Sequence, residues 1–320
     1  MPSFPALPLL AALAAGPAAK PAPLPNGSFK AEVGGRTIHY EVHGTGPVLM
    51  ALTNSWGLTL DGLRGLYRPL EDKLTLVYFD PRGMGSSSPA RTDEDRGMAA
   101  VREDFDALRR HLKIEKANVI GWSNGAMNLL LLASEKPQTI GAAIFVHGLA
   151  SFGPEDIQAF SQKYPEMTAR FVAFQTEQQD PKLTDDERTA RQKTFWMGQY
   201  FPFLLADAKT SRAKLEDAFR GQPFSTPHTR QTDIETASFD ARPKLGAITA
   251  RSLVLAGKYD AAPPEKIKEI ADGIKGATFK VFEHSGHFAP IEEADAFKAT
   301  VFEFLGVSLK QEPRAPAARK

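Results

Sequence analysis

The chain has 320 residues, 42% of them apolar, and a formal net charge of +1. That is enough to bury one large core with an insertion, and the near-neutral balance without a basic block argues against a nucleic-acid partner. Cysteine is absent, which excludes disulfides and thiolate metal sites.

Residues 1–27 form a leader. Leu7 to Ala15 is a short apolar run followed by Ala18-Ala19, resembling the core and cleavage zone of a signal peptide and too short to span a bilayer. No Lys or Arg precedes Lys20, and Pro2, Pro5 and Pro8 interrupt the run, so export and cytoplasmic residence both stay open. No transmembrane segment is expected. Phe29 to Val33 and Thr37 to Val42 read as a hairpin turning at Gly34-Gly35. Val48 to Leu52, Leu74 to Phe79 and Ala117 to Gly121 are continuous apolar runs of the kind buried on both faces of a parallel sheet. Met98, Val101, Phe105, Leu108 and Leu112 mark one face of a helix. A helix from Ala126 to Glu135 and a strand from Ile140 to Val146 follow.

Between about Gly148 and Pro243 the buried-strand pattern stops and helical, aromatic-rich stretches replace it. Alternation then resumes with Ser252 to Ala256, a helix from Pro264 to Ile274, Thr278 to Phe282, and a single amphipathic helix from Pro290 to Leu305. The expected fold is α/β: a doubly wound, mostly parallel sheet, its core made of 28–147 and 244–306. A helical cap, 148–243, is inserted, and 307–320 form a mobile tail.

Gly121-Trp122-Ser123-Asn124-Gly125 sits between a buried strand and a helix. A sharp turn there lifts Ser123 into the open, the flanking glycines remove side chains that would collide, and the helix N-terminus favours developing negative charge. A serine hydroxyl needs a base, and the base an orienting acid. Asp260 and His287 follow the next two strands, in the order Ser, Asp, His.

On these residues, with Asp80-Pro81-Arg82-Gly83-Met84-Gly85-Ser86, Leu253 to Asp260 and Ser285-Gly286-His287, the chain from Phe29 to Gly306 resembles the α/β-hydrolase superfamily. The resemblance implies Ser123 as nucleophile, His287 as general base and acid, and Asp260 as its orienting carboxylate. Ser-Gly-His-Phe followed by Glu292-Glu293 is distantly similar to proline iminopeptidase and related lid-bearing hydrolases. Where those relatives carry His-Gly and Gly-Pro-Gly, this chain has Thr53-Asn54-Ser55-Trp56-Gly57. The backbone N–H groups of Asn124 and Ser55 are the expected oxyanion donors. Trp122 and Trp56 are candidate substrate contacts. Asp80 and Arg82 are read as fixing a turn, and Glu292 and Glu293 as acids favoured in the first turn of the last helix.

The expected activity is hydrolysis of a small ester or amide through an acyl-enzyme, with no metal or organic cofactor. A proline iminopeptidase-type aminopeptidase acting on short peptides is the alternative, and a non-catalytic ligand-binding protein on this fold is the alternative of another class. His284 lies three residues from His287, without a third ligand at zinc spacing. Insert aromatics such as Phe160, Phe195, Trp196 and Phe201 pack the cap, and some of them roof the site over an apolar pocket.

Overall fold

The computed structural model describes residues 23–308; the expectations for the leader through position 22 and for the tail from 309 onward lie outside them. One eight-stranded sheet organises the chain. Its strands are β1 (Gly27–Val33), β2 (Arg36–Gly44), β3 (Val48–Leu52), β4 (Thr75–Phe79), β5 (Ala117–Trp122), β6 (Ile140–Val146), β9 (Arg251–Gly257) and β10 (Thr278–Phe282). They lie in the order β1-β2-β4-β3-β5-β6-β9-β10. β1 and β2 pair antiparallel through a turn in which Gly34 and Gly35 take φ of 59° and 73°. β2 runs antiparallel to β4, and the remaining pairs are parallel.

Alternation along the buried strands explains why helices cover both faces. Met50, Leu52, Val77, Val119 and Phe145 point to one side, where α2 (Met98–His111), α3 (Asn124–Glu135) and α10 (Pro264–Gly273) pack. Leu49, Ala51, Leu76, Ile120 and Ile144 point to the other, against α1 (Leu60–Tyr67) and α12 (Ala294–Leu305). This is the expected doubly wound architecture.

Between β6 and β9 lie α4 (Pro154–Lys163), α5 (Pro165–Gln178), α6 (Asp185–Phe195), α7 (Phe201–Phe203), α8 (Ala208–Ala218) and α9 (Thr226–Thr236). A two-residue ribbon, β7 (Ser151–Phe152) with β8 (Phe239–Asp240), joins the start of this segment to its end. The ribbon is too short to leave an apolar run in the sequence. Phe195, Trp196, Phe201, Phe219 and Phe224 extend the second apolar layer from the insert onto Trp122 and Phe288.

The final helix differs from expectation. In place of one helix over Pro290–Leu305 there are α11 (Ala289–Glu292) and α12, broken at Glu293, where φ is −123° and ψ 50°. Glu292 and Glu293 are therefore not acids sitting idly in a first turn, because their side chains bond the preceding loop. Among the described residues no helix is long and apolar enough to cross a membrane.

Candidate active site

The carboxyl ends of β4, β5, β6, β9 and β10 each carry a polar residue, as a parallel sheet of this kind dictates for ligand sites. Ser123 follows β5 with φ 55° and ψ −122°, a conformation that a non-glycine residue adopts only under strain. Two backbone hydrogen bonds hold it there. Its N–H donates to Val146 O at 2.8 Å, and its carbonyl accepts the N–H of Ala126 at 2.9 Å. Gly121 and Gly125 allow the close crossing: a Cβ on Gly121 would strike the carbonyl of Gly125, and one on Gly125 would lie 2.7 Å from Leu52 O.

Asp260 and His287 come together on neighbouring loops. His287 Nδ1 lies 2.9 Å from Asp260 Oδ2 and 3.1 Å from Oδ1. Lys258 N–H donates to Phe282 O, and Tyr259 N–H to Ser285 O, stitching the two loops together. Asp260 is 1% exposed at its side chain. Burial alone would raise its pKa, but the imidazoles of His287 and His147 outweigh it and hold the carboxyl well below the usual range.

His147 was not singled out in the sequence. It directly follows β6, with φ 52°, and its Nδ1 lies 2.9 Å from Asp260 Oδ2. The same positional rule that selects residues after β5, β9 and β10 would have found it. Ligand atoms of His147, Asp260 and His287 all lie within 4.8 Å of one another, a spacing a metal ion could share. Here both imidazoles direct Nδ1 to the carboxylate, forming a hydrogen-bonded trio. His284 is exposed and outside this group.

The loop bearing His287 is clamped from two sides. Glu292 Oε2 accepts the N–H groups of Gly286 at 2.8 Å and Phe288 at 3.3 Å, while its Oε1 accepts the N–H of Ala206 in the insert at 2.6 Å. Glu293 Oε2 accepts from His284 N–H at 2.9 Å and from the Ser285 hydroxyl at 2.7 Å. His287 N–H donates to Leu204 O, also in the insert, at 2.8 Å.

Trp122 Nε1–H donates to His287 O at 2.9 Å, and its ring centroid lies 5.3 Å from that of His287. At 3% exposure, packed on Phe219 and Phe288, Trp122 is a prop for the histidine loop rather than an open substrate contact. Trp56 is half-buried and packs on Trp196, with ring centroids 5.3 Å apart.

The expectation for Ser55 needs correction. Its N–H donates to Asn124 Oδ1 at 2.8 Å, and its hydroxyl bonds the same oxygen at 2.9 Å. That donor is committed within the loop. Trp56 N–H, one residue on, makes a longer 3.2 Å contact with Asn54 Oδ1. Asn124 lies in the first turn of α3, where N–H groups lack intrahelical acceptors.

Asp80 and Arg82 hold turns, as read from the sequence. Asp80 accepts from Leu60 N–H and Ser86 N–H, each at 3.0 Å, and lies 2.7 Å from His39 Nδ1. Arg82 forks onto Asp104 and reaches Asp95.

The model of the family described as the α/β hydrolase fold matches residues 52–294, well over half of the chain. Similar proteins include 2-hydroxy-6-oxo-6-phenylhexa-2,4-dienoate hydrolase of Comamonas testosteroni, 27% identical over 285 residues that cover 84% of this chain and 91% of that one. Proline iminopeptidase of Lactobacillus helveticus (strain DPC 4571) is 24% identical over 251 residues, covering 73% and 81%. Among solved structures, an alpha/beta fold family hydrolase from Bacillus anthracis str. Sterne superposes with a TM-score of 0.73 at 23% identity, covering 88% of this chain and 100% of that one. These relatives are named as hydrolases, which supports an enzyme here. The chain belongs to the α/β hydrolase fold family.

Proposed function

We propose that the chain is a serine hydrolase that cleaves a carboxylic ester or amide through an acyl-enzyme on Ser123. The observation that carries this reading is the 2.9 Å Asp260–His287 hydrogen bond, on a loop whose His287 carbonyl is held by Trp122, the residue before the strained Ser123. Asp260 Oδ2 fixes the Nδ1–H tautomer of His287, which leaves Nε2 free to take the Ser123 proton. Ser123 Oγ attacks the substrate carbonyl, and the carbonyl electron pair moves onto its oxygen. The Asn124 N–H at the start of α3 is one donor for that charge, and the Trp56 N–H is the second in place of Ser55, exchanging its longer 3.2 Å bond to Asn54 Oδ1 for the developing oxyanion. His287 then protonates the leaving alcohol or amine, and water activated by His287 releases the acid. Segment 148–243 acts as a cap over the apolar site.

A second reading, aminopeptidase action, draws support from Asp233. It lies on α9, whose Thr229 and Thr232 hydroxyls bond Trp56 O at 3.0 Å and Ser55 O at 2.8 Å, so the helix is seated on the candidate oxyanion loop. Asp233 is exposed at the surface of α9 and forms no ion pair among the described residues, while the protein packed around it partly desolvates its carboxyl and raises its pKa. Such a group suits the free amine of a peptide substrate.

A panel of short and long acyl nitrophenyl esters beside prolyl and other aminoacyl arylamides separates the two. The leading reading expects esters to be turned over and Asp233→Asn to leave their KM unchanged. Far better turnover of arylamides with a free amine, with KM raised in Asp233→Asn, reverses that order. No turnover of any member leaves a ligand-binding role.

A further inference from the structure

Asp260 is served by two histidines, and only one of them has a role in the mechanism above. His147 is fully buried, and its N–H is pinned to Leu255 O at 2.8 Å. Its Nε2 accepts the Ala289 N–H at 3.4 Å. A backbone N–H can only donate, so Nε2 carries no proton and the ring proton sits on Nδ1, facing Asp260. Burial pushes the His147 pKa down, so the ring is a neutral donor. Its outer nitrogen is closed off by Ala289, which removes it as a spare general base.

The rest of the carboxylate's shell is thin. Besides the two imidazoles, Asp260 accepts the Ala262 N–H at 3.3 Å on Oδ1. Oδ2, the oxygen nearest both imidazoles, is shared by His147 and His287 at 2.9 Å each. A buried carboxylate with so few donors is free to rotate unless a second strong donor fixes it.

We propose that His147 is a positioning residue that, through its Nδ1–H, fixes the rotation of the Asp260 carboxylate so that Oδ2 faces His287. This rests on the serine-hydrolase reading for its catalytic consequence, although the hydrogen-bond assignment stands apart from it. His147 touches no substrate and acts through Asp260.

The test pairs two variants with a spectroscopic measurement on the intact chain. His147→Leu fills the site without a donor. His147→Asn places an amide nitrogen near the position of Nδ1 and tolerates left-handed backbone. Expected is a fall in ester kcat of about 10- to 100-fold for His147→Leu with KM nearly unchanged, the penalty of a misplaced base. His147→Asn recovers to within roughly threefold of wild type, since the donor is restored.

Nitrogen-15 imidazole spectra of the wild-type chain are expected to show Nδ1–H protons on both His147 and His287. His147→Leu should lose the first and displace the second, and His147→Asn should leave the second near its wild-type position. A wild-type spectrum with the His147 proton on Nε2 overturns the proposal, as does a folded His147→Leu with wild-type kcat or a folded His147→Asn as impaired as His147→Leu. If the wild type turns over no substrate, the serine-hydrolase reading fails, and the imidazole spectra still decide the hydrogen-bond assignment.

Discussion

Glu292→Gln perturbs the clamp on the His287 loop without changing side-chain size. The carboxylate accepts three backbone N–H groups, from Ala206, Gly286 and Phe288. A glutamine keeps one acceptor oxygen and turns an NH2 toward N–H groups on the other side. Either the insert contact at Ala206 is lost, or the pair that shapes the histidine loop. Orphaning a buried donor costs about 1–3 kcal/mol, and bonds to a charged acceptor lie at the upper end. A loss of roughly 2–4 kcal/mol lowers Tm by about 4–8 °C in a domain of this size. The loop that positions His287 loosens, so ester kcat should fall by about tenfold or more while KM moves less. Thermal denaturation and steady-state kinetics on the purified variant read both effects. A Tm within about 1 °C of wild type with unchanged kcat would refute the idea that Glu292 holds the loop.

Stability should also fall in acid. Burial lowers the pKa of His228 to about 4, and that of His147 in the same direction. Both are neutral when folded, so the unfolded chain takes up protons first: stability is full above about pH 6.5 and is lost as pH drops toward 4. Holding His228 about 2.5 pH units below the free imidazole corresponds to roughly 3 kcal/mol. Urea midpoints at pH 7.5 and 4.5 measure it, and equal midpoints would contradict the assignment. Gly125→Ala pushes a Cβ to 2.7 Å from Leu52 O, so the turn must shift; activity should drop at least about 100-fold, from a displaced nucleophile, and full activity would argue against the turn geometry. Gln222, fully buried, links the insert to α1 by accepting from Gly62 N–H at 2.7 Å and the Thr59 hydroxyl at 3.2 Å. Gln222→Leu orphans both donors and should cost about 2 kcal/mol in urea denaturation; an unchanged midpoint would show that the link is dispensable.

Much of the fold was legible because its signals are local. A strand buried on both faces must be a continuous apolar run, and Val48 to Leu52 or Ile140 to Val146 can hardly be anything else. Ser123 stood out for the same reason, since strand, glycines and helix lie within a few residues of it. What escaped the sequence depends on distant partners. His147 is one histidine after a strand, and its acceptor is 113 residues away. The Ser55 N–H looked free until the Asn124 side chain, 69 residues on, was found to occupy it. Glu292 and Glu293 looked like helix-terminus acids because the loop they grip is shaped only in three dimensions. The sequence offers Trp122 only as a candidate substrate contact, and its bond to His287 O, 165 residues away, is what shows it supporting the histidine loop.

Covalent labelling tests most directly whether Ser123 is an activated nucleophile. Intact-mass and peptide-level mass spectrometry after exposure to a fluorophosphonate should find one adduct, on Ser123, absent from Ser123→Ala and strongly slowed in His287→Ala. No adduct on the wild-type chain, or an adduct at another residue that persists in Ser123→Ala, would contradict the account.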